Sequence, residues 1–264
     1  MKFIAGFIGC GNMGGALARA AASAVGGNNI AVCDNDKSKT SLLCAECGAA
    51  ELSFDEIIDS CKFVFLGVKP QAMQNVLAPY TEAINNSDCI IVTMAAALEI
   101  FYFEHFLGIT RPIIRIMPNT PASVGEGMIL YAGNELVTDE MISEFLGVMS
   151  KAGKLDNLPE RHIDAGSAVS GCGPAFAFMF AEALADAGVE CGLPRDKAIL
   201  YAAQMLKGSA ELLLNQPSPG TLKDKVCSPG GTTIAGVHAL ENGAFRAAVM
   251  NAVTSAYKRT LELK

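Results

Sequence analysis

Two glycine-rich segments of this chain have the spacing of anion-binding turns. The first, Gly9-Cys10-Gly11-Asn12-Met13-Gly14, follows an apolar run over 3–8 and opens an Ala-rich helical stretch over 13–25. A second apolar run, 30–33, ends at Asp34, twenty residues past Gly14. A G-x-G-x-x-G alone is weak, but in this strand–turn–helix–strand setting it reads as a dinucleotide-binding βαβ unit. Gly9 permits the tight turn, Gly11 lets the backbone approach a pyrophosphate, and Gly14 lets helix and strand pack closely. Cys10, Asn12 and Met13 complete the turn, and the helix N-terminus offers free N–H groups and a positive dipole end to the phosphates. The Asp34 carboxylate is placed to accept hydrogen bonds from the adenosine ribose and to repel a 2′-phosphate. The next residues, Asn35-Asp36-Lys37-Ser38-Lys39, contain no arginine, though Lys37 and Lys39 are available to a phosphate. These residues lean toward NAD and leave NADP open.

The second segment is Lys225-Val226-Cys227-Ser228-Pro229-Gly230-Gly231-Thr232-Thr233, ahead of a helical pattern. Backbone N–H groups and hydroxyls at such a helix start suit a carboxylate, and an ordinary N-cap is the competing reading. Between the two segments lie Val68-Lys69-Pro70 and Arg115-Ile116-Met117-Pro118-Asn119-Thr120-Pro121, each at the end of an expected strand. Open α/β sheets bind ligands at that edge. Lys69 is therefore a candidate ligand contact, and Asn119 is placed to fix an amide or a ring. The alternatives are that Pro70 merely starts a helix and that Arg115 is a structural ion-pair partner.

The elements that must position these residues change character near residue 158. Before it, apolar runs of strand length at 3–8, 30–33, 63–68, 89–94 and 113–117 alternate with helical stretches at 13–25, 37–47 and 72–78. Edge strands over 128–131 and 154–156, with a helix at 139–149 between them, extend the pattern. This predicts an α/β fold, an N-terminal Rossmann-type doubly wound sheet over 1–158. After Pro159 the strand signals stop, and 176–187, 195–214 and 245–261 carry helical periodicity. The C-terminal part, 159–264, is expected to be an all-α dimerisation and substrate domain.

Composition bounds the function. Of 264 residues, 51% are hydrophobic and 18% charged, which supports a sizeable core. The net charge of −7 argues against a nucleic-acid partner. No apolar run reaches the ~18 residues of a membrane span, since the most apolar stretch, 165–181, is broken by Gly171, Gly173 and Pro174. The start runs straight into a strand pattern, so a cytoplasmic location is expected. Nine cysteines, odd in number and scattered, read as reduced thiols. Cys44 and Cys47 form a lone C-x-x-C without the second pair a zinc site needs. His105, His162 and His238 share no ligand spacing, and no metal is expected.

Val-Lys-Pro at 68–70, Arg-Ile-Met-Pro-Asn-Thr-Pro at 115–121, Ser170-Gly171-Cys172-Gly173-Pro174-Ala175-Phe176 and Ser-Pro-Gly-Gly-Thr-Thr at 228–233 together resemble pyrroline-5-carboxylate reductase, in family order and over nearly the whole chain. The resemblance implies that Ser228, Gly230, Gly231, Thr232 and Thr233 hold the substrate, 1-pyrroline-5-carboxylate or its product L-proline. It also sets Lys225 and Glu160 beside the substrate. Nicotinamide is implied near Val68, Lys69, Pro70, Met117, Pro118 and Asn119. A homodimer of intertwined helical domains is implied, with a ring of dimers in some members. Three departures from the family pattern stand out. Cys172 replaces a serine, Ala97 stands where glycine is usual, and Asp34-Asn35 replaces a sequence suited to NADPH.

The implied reaction is hydride transfer to the C=N carbon. The imine nitrogen is basic enough to arrive protonated, so no catalytic His or Cys is required, and Thr233 is the candidate to hydrogen-bond it. Two other readings stay open. One is a hydroxyacid dehydrogenase using Lys197 or Lys207 as proton carrier; the other is a non-catalytic nucleotide sensor.

Overall fold

The computed structural model describes residues 2–108 and 111–264. The strands are β1 (Phe3–Ile8), β2 (Ile30–Cys33), β3 (Ala50–Glu51), β4 (Cys61–Leu66), β5 (Ile90–Thr93), β6 (Ile113–Met117), β7 (Gly127–Gly133) and β8 (Gly153–Asn157). Interleaved with them are α1 (Asn12–Val25), α2 (Lys37–Cys47), α3 (Phe54–Ser60), α4 (Pro70–Leu77), α5 (Thr81–Asn86), α6 (Ile100–Leu107) and α7 (Asp139–Met149). After β8 come α8 (Glu160–Ser170), α9 (Gly173–Glu190), α10 (Arg195–Asn215), α11 (Pro219–Val226), α12 (Thr232–Asn242) and α13 (Phe245–Glu262).

The eight strands form one sheet in the order β3-β2-β1-β4-β5-β6-β7-β8. All neighbours run parallel except β6 and β7. Burial explains the composition of the strands. A parallel sheet is covered on both faces, so its strands read as continuous apolar runs, and β4 is buried at five of its six positions. One face packs Phe7, Phe63 and Phe65 against Leu17 of α1 and Phe145 of α7. The other packs Val64, Leu66 and Ile91 against Ile57 and Ile58 of α3, Met73 of α4 and Phe103 of α6. Chain order reverses between β1 and β4. That opens a crevice at their carboxyl ends, where such sheets receive ligands.

The chain divides into two compact units, Met1–Cys172 with Ala256–Lys264, and Gly173–Ser255. The compositional change near residue 158 thus precedes the division, because α8 packs in the first unit. Its Gly166 meets Leu130 of β7 so closely that a Cβ would stand 2.4 Å from Leu130 Cδ1. By length and composition alone, the run Glu160–Glu190 is long and apolar enough to cross a membrane. It is two helices, separated by a turn at Gly171-Cys172.

Arg115 of β6 has no exposed surface and meets two carboxylates of α8. Its guanidinium donates to Asp164 Oδ1 at 2.5 Å and to Glu160 Oε1 at 3.3 Å. Lys264 Nζ lies 2.9 Å from the other Asp164 oxygen and also pairs with Glu99. The second unit differs. α10 buries Ala198 and Ala202, and α11, α12 and α13 bury no residue. Phe178, Met179, Leu200 and Met250 stand more than half exposed.

Arg115→Met keeps the volume but leaves Asp164 without its buried guanidinium. The expected loss is up to about 3–5 kcal/mol, because the buried Asp164 charge keeps only the partly exposed Lys264 as partner. The melting midpoint should fall by on the order of 10 °C, at ~2–4 °C per kcal/mol for a domain of this size. An unchanged midpoint in differential scanning fluorimetry would exclude this ion pair as a support of α8.

Candidate active site

The crevice between β1 and β4 opens into a cleft of about 500 Å³. Gly9 and Gly11 line it, together with Asp34, Lys39, Val68 and Lys69. The three glycines of the first turn each have a distinct steric reason. Gly9 has φ +92°, and a Cβ there would lie 2.7 Å from the Gly67 carbonyl oxygen. A Cβ on Gly14 would lie 2.0 Å from the Gly9 carbonyl oxygen, so α1 sits on β1 only because residue 14 lacks one. At Gly11 a Cβ would meet nothing within 4 Å. The space beside it is open, as close approach by a ligand requires.

The start of α1 is uncapped. Gly11 is its N-cap with no side-chain bond, and the Gly15 N–H is bonded back to the Gly11 carbonyl at 2.8 Å. The N–H groups of Asn12, Met13 and Gly14 therefore have no acceptor within the helix. The Cys10 thiol is turned inward, toward the carbonyls of Phe7 and Cys33. Burial, reinforced by the Asp34 carboxylate, pushes that thiol up to about 12. Cys10 thus contributes backbone to the turn and no nucleophile.

Asp34, at the end of β2, has both carboxylate oxygens engaged. Oδ2 accepts the Cys10 N–H at 2.7 Å, and Oδ1 accepts the Asp36 N–H at 2.8 Å. Lys39 Nζ stands 3.7 Å from Oδ1, whereas Lys37 turns away to Glu51 at 2.7 Å. Past β4, Val68 and Lys69 line the cleft, and Lys69 is the N-cap of α4 with Pro70 at the first helical position. Sequence reasoning overlooked the apolar wall of the cleft, made by Phe54, Val76 and Tyr80. The Phe54 and Tyr80 rings stack 3.9 Å apart.

Met117 ends β6 and Pro118 and Asn119 follow it; none of the three lines this cleft. The Asn119 amide is engaged within the protein: Nδ2 donates to the Ser170 carbonyl and Oδ1 accepts the Met128 N–H, both at 2.9 Å. Glu160 Oε1 accepts the Ile100 N–H at 2.7 Å at the start of α6, besides its contact with Arg115. In the loop after β5, Ala97 adopts φ +65°, the left-handed conformation in which glycine is unstrained.

In the second unit, the Ser228 carbonyl accepts the Gly231 N–H at 3.0 Å, with Pro229 and Gly230 at the corners. Gly230 has φ +70°, so this is a type II turn. It delivers the chain to α12, whose N-cap Gly231 makes no side-chain bond. Among the described residues, the hydroxyls of Ser228, Thr232 and Thr233 bond no other protein group. Lys225 Nζ donates to Gln216 Oε1 at 3.0 Å. Three hydroxyl side chains and uncapped helix N–H groups thus belong to one helix start, the end at which an anion gains most from the dipole.

Residues 160–263 match the family model described as pyrroline-5-carboxylate reductase dimerisation, and residues 4–97 match one described as NADP oxidoreductase coenzyme F420-dependent. The pyrroline-5-carboxylate reductase of Escherichia coli K12 is 41% identical over 98% of this chain and 97% of its own length. That of Pisum sativum is 37% identical over 99% and 96%. The solved pyrroline carboxylate reductase of Plasmodium falciparum, with NADP bound, superposes with a TM-score of 0.88 at 31% identity, covering 99% of this chain and 98% of that one.

Two outcomes are expected. The fold favours the neutral Cys10 thiol, so its contribution to stability is complete below pH 9 and is lost as pH climbs from 9 toward about 12. Melting temperatures between pH 8 and 11 should fall less steeply in Cys10→Ala; parallel curves would remove Cys10 as a source. Ala97→Gly relieves a left-handed alanine, worth roughly 1–2 kcal/mol, against roughly 0.4–1 kcal/mol of glycine chain entropy. The net expectation is a melting midpoint higher by up to a few degrees, and a lower one would show that the loop is not strained.

Proposed function

The chain belongs to the pyrroline-5-carboxylate reductase family, and on that premise we propose how its residues reduce 1-pyrroline-5-carboxylate to L-proline, the last step of proline biosynthesis. It is a nicotinamide-dependent oxidoreductase of a small molecule, and it assembles as a homo-oligomer. The reduced nicotinamide supplies the hydride. Everything else falls to the chain: binding, orientation and the placement of one proton.

The observation that carries the reading is the uncapped start of α12 behind its type II turn. Its N–H groups and the Ser228 and Thr232 hydroxyls hold the substrate carboxylate, with Gly230 and Gly231 allowing close approach. Thr233 then hydrogen-bonds the ring nitrogen and helps pass its proton. Lys225 adds positive charge at the edge of this turn. Glu160, in the first unit, acts by holding the start of α6 through Ile100.

For the dinucleotide, the uncapped N–H groups of α1 receive the pyrophosphate. Asp34 and the Phe54–Tyr80 wall would hold the adenosine end, and Val68, Lys69, Pro70, Met117, Pro118 and Asn119 would border the nicotinamide end. Both NADPH and NADH are accepted. The assembly is a dimer of helical domains that completes each substrate site, with a ring of dimers as a further level. The enzyme works in the cytoplasm without a metal.

Thr233→Ala should lower turnover by about tenfold or more, since one well-placed hydrogen-bonding partner contributes ~10²–10³ in rate, while NADPH binding followed by fluorescence is retained. Unchanged turnover would remove Thr233 from the reaction. NADH and NADPH oxidation with pyrroline-5-carboxylate tests the activity itself. Consumption of neither would favour a dehydrogenase of other substrates or a non-catalytic nucleotide sensor.

A further inference from the structure

The Asp34 carboxylate joins two turns that are 24 residues apart in sequence. Through Oδ2 it holds the Cys10 N–H of the glycine turn, and through Oδ1 it holds the Asp36 N–H of the turn after β2. Only 13% of its side chain is exposed. An acid that selects a ribose presents its oxygens to the ligand. Here each oxygen already accepts a backbone donor, and charge-assisted bonds of this kind are the strong ones. Cutting them would loosen the turn that carries the pyrophosphate site.

Lys39 has the opposite disposition. It lines the same cleft, its side chain is 44% exposed, and its ammonium group floats between carboxylates at 3.6 Å and 3.7 Å without a short bond to either. Lys69, the other lysine on the cleft wall, belongs to the loop after β4. A lysine held loosely by two carboxylates is ready to exchange them for a more highly charged anion, at small cost in broken bonds.

We infer that Asp34 is a positioning residue that ties the pyrophosphate turn to the ribose turn, and that Lys39 is the residue that discriminates a 2′-phosphate from a 2′-hydroxyl. The inference rests on the dinucleotide reading of the cleft. It eases the conflict between an acid after β2 and use of NADPH: each Asp34 oxygen gives one of its acceptor sites to the backbone, and the lysine beside it offsets its charge. Asp34 thus contributes to binding of both dinucleotides without choosing between them.

The test is calorimetric titration of the full-length protein with 2′,5′-ADP, ADP, NADPH and NADH, combined with steady-state kinetics. Lys39→Ala should lower the ratio of 2′,5′-ADP to ADP affinity about tenfold, as loss of one charge-assisted contact does, and Lys39→Arg should restore it. An unchanged ratio overturns the role of Lys39. Asp34→Ser should weaken ADP and 2′,5′-ADP alike, raising KM for both dinucleotides more than it lowers kcat. A gain in 2′,5′-ADP affinity with a loss for ADP would make Asp34 a ribose selector and overturn the bracing role. A wild-type protein that bound none of the four would overturn the dinucleotide reading and this inference with it.

Discussion

Three glycine backbones, those of Gly9, Gly14 and Gly67, approach one another at the carboxyl ends of β1 and β4. No side chain intervenes, and a Cβ at any of the three would come within 2.0–2.7 Å of a carbonyl oxygen. That approach sets how close α1 lies to the sheet, and hence where its uncapped N–H groups point. It also brings the loop after β4 against the glycine turn, so one cleft receives both. The sheet core secures the arrangement from below: Phe7 and Phe65, on adjacent strands, stack 4.4 Å apart. Substituting any of the three glycines would move the helix, the cleft and the second loop together.

A second constraint works through charge. Arg115, buried in the sheet, fixes Asp164 and Glu160 of α8, and Glu160 in turn holds the first N–H of α6. The start of α6, strand β6 and the first half of α8 are thereby mutually located. Asn119 makes a similar use of its amide, spanning β7 and the end of α8. These polar side chains beyond β5 and β6 are engaged in positioning neighbouring elements. Buried polar groups of this kind must satisfy one another.

The doubly wound sheet, the helical C-terminal part and the glycine turn were legible in the sequence, because long apolar runs and a G-x-G-x-x-G in context depend on local pattern. The helix Asp139–Met149 was also legible, with Thr138 capping it and two acids in its first turn. β3 has two residues and α5 six, too short for periodicity to register. α3 was missed although it had a signal, a Ser53/Glu56 capping box ahead of apolar positions 54, 57 and 58. α8 was not anticipated as a helix of the first unit, since Glu160-Arg161-His162 reads as surface until Arg115 is seen beneath it. The double engagement of Asp34 was out of reach for another reason. Its partners are backbone N–H groups, which every residue has, so side-chain identity carries no trace of them.

The poverty of the second unit's own core has a consequence for how the molecule comes into being. Three of its five helices bury nothing within a single chain, and large apolar side chains stand open on the others. In a homo-oligomer, such a surface finds its interior in another copy. Folding of this unit and association of subunits then become one equilibrium, second order in protein for a dimer, and its midpoint moves with concentration by mass action. The first unit carries extensive sheet cores of its own, so that dependence falls mainly on the second. Dilution would therefore act on the two units unequally, loosening the helices of the second before the sheet of the first.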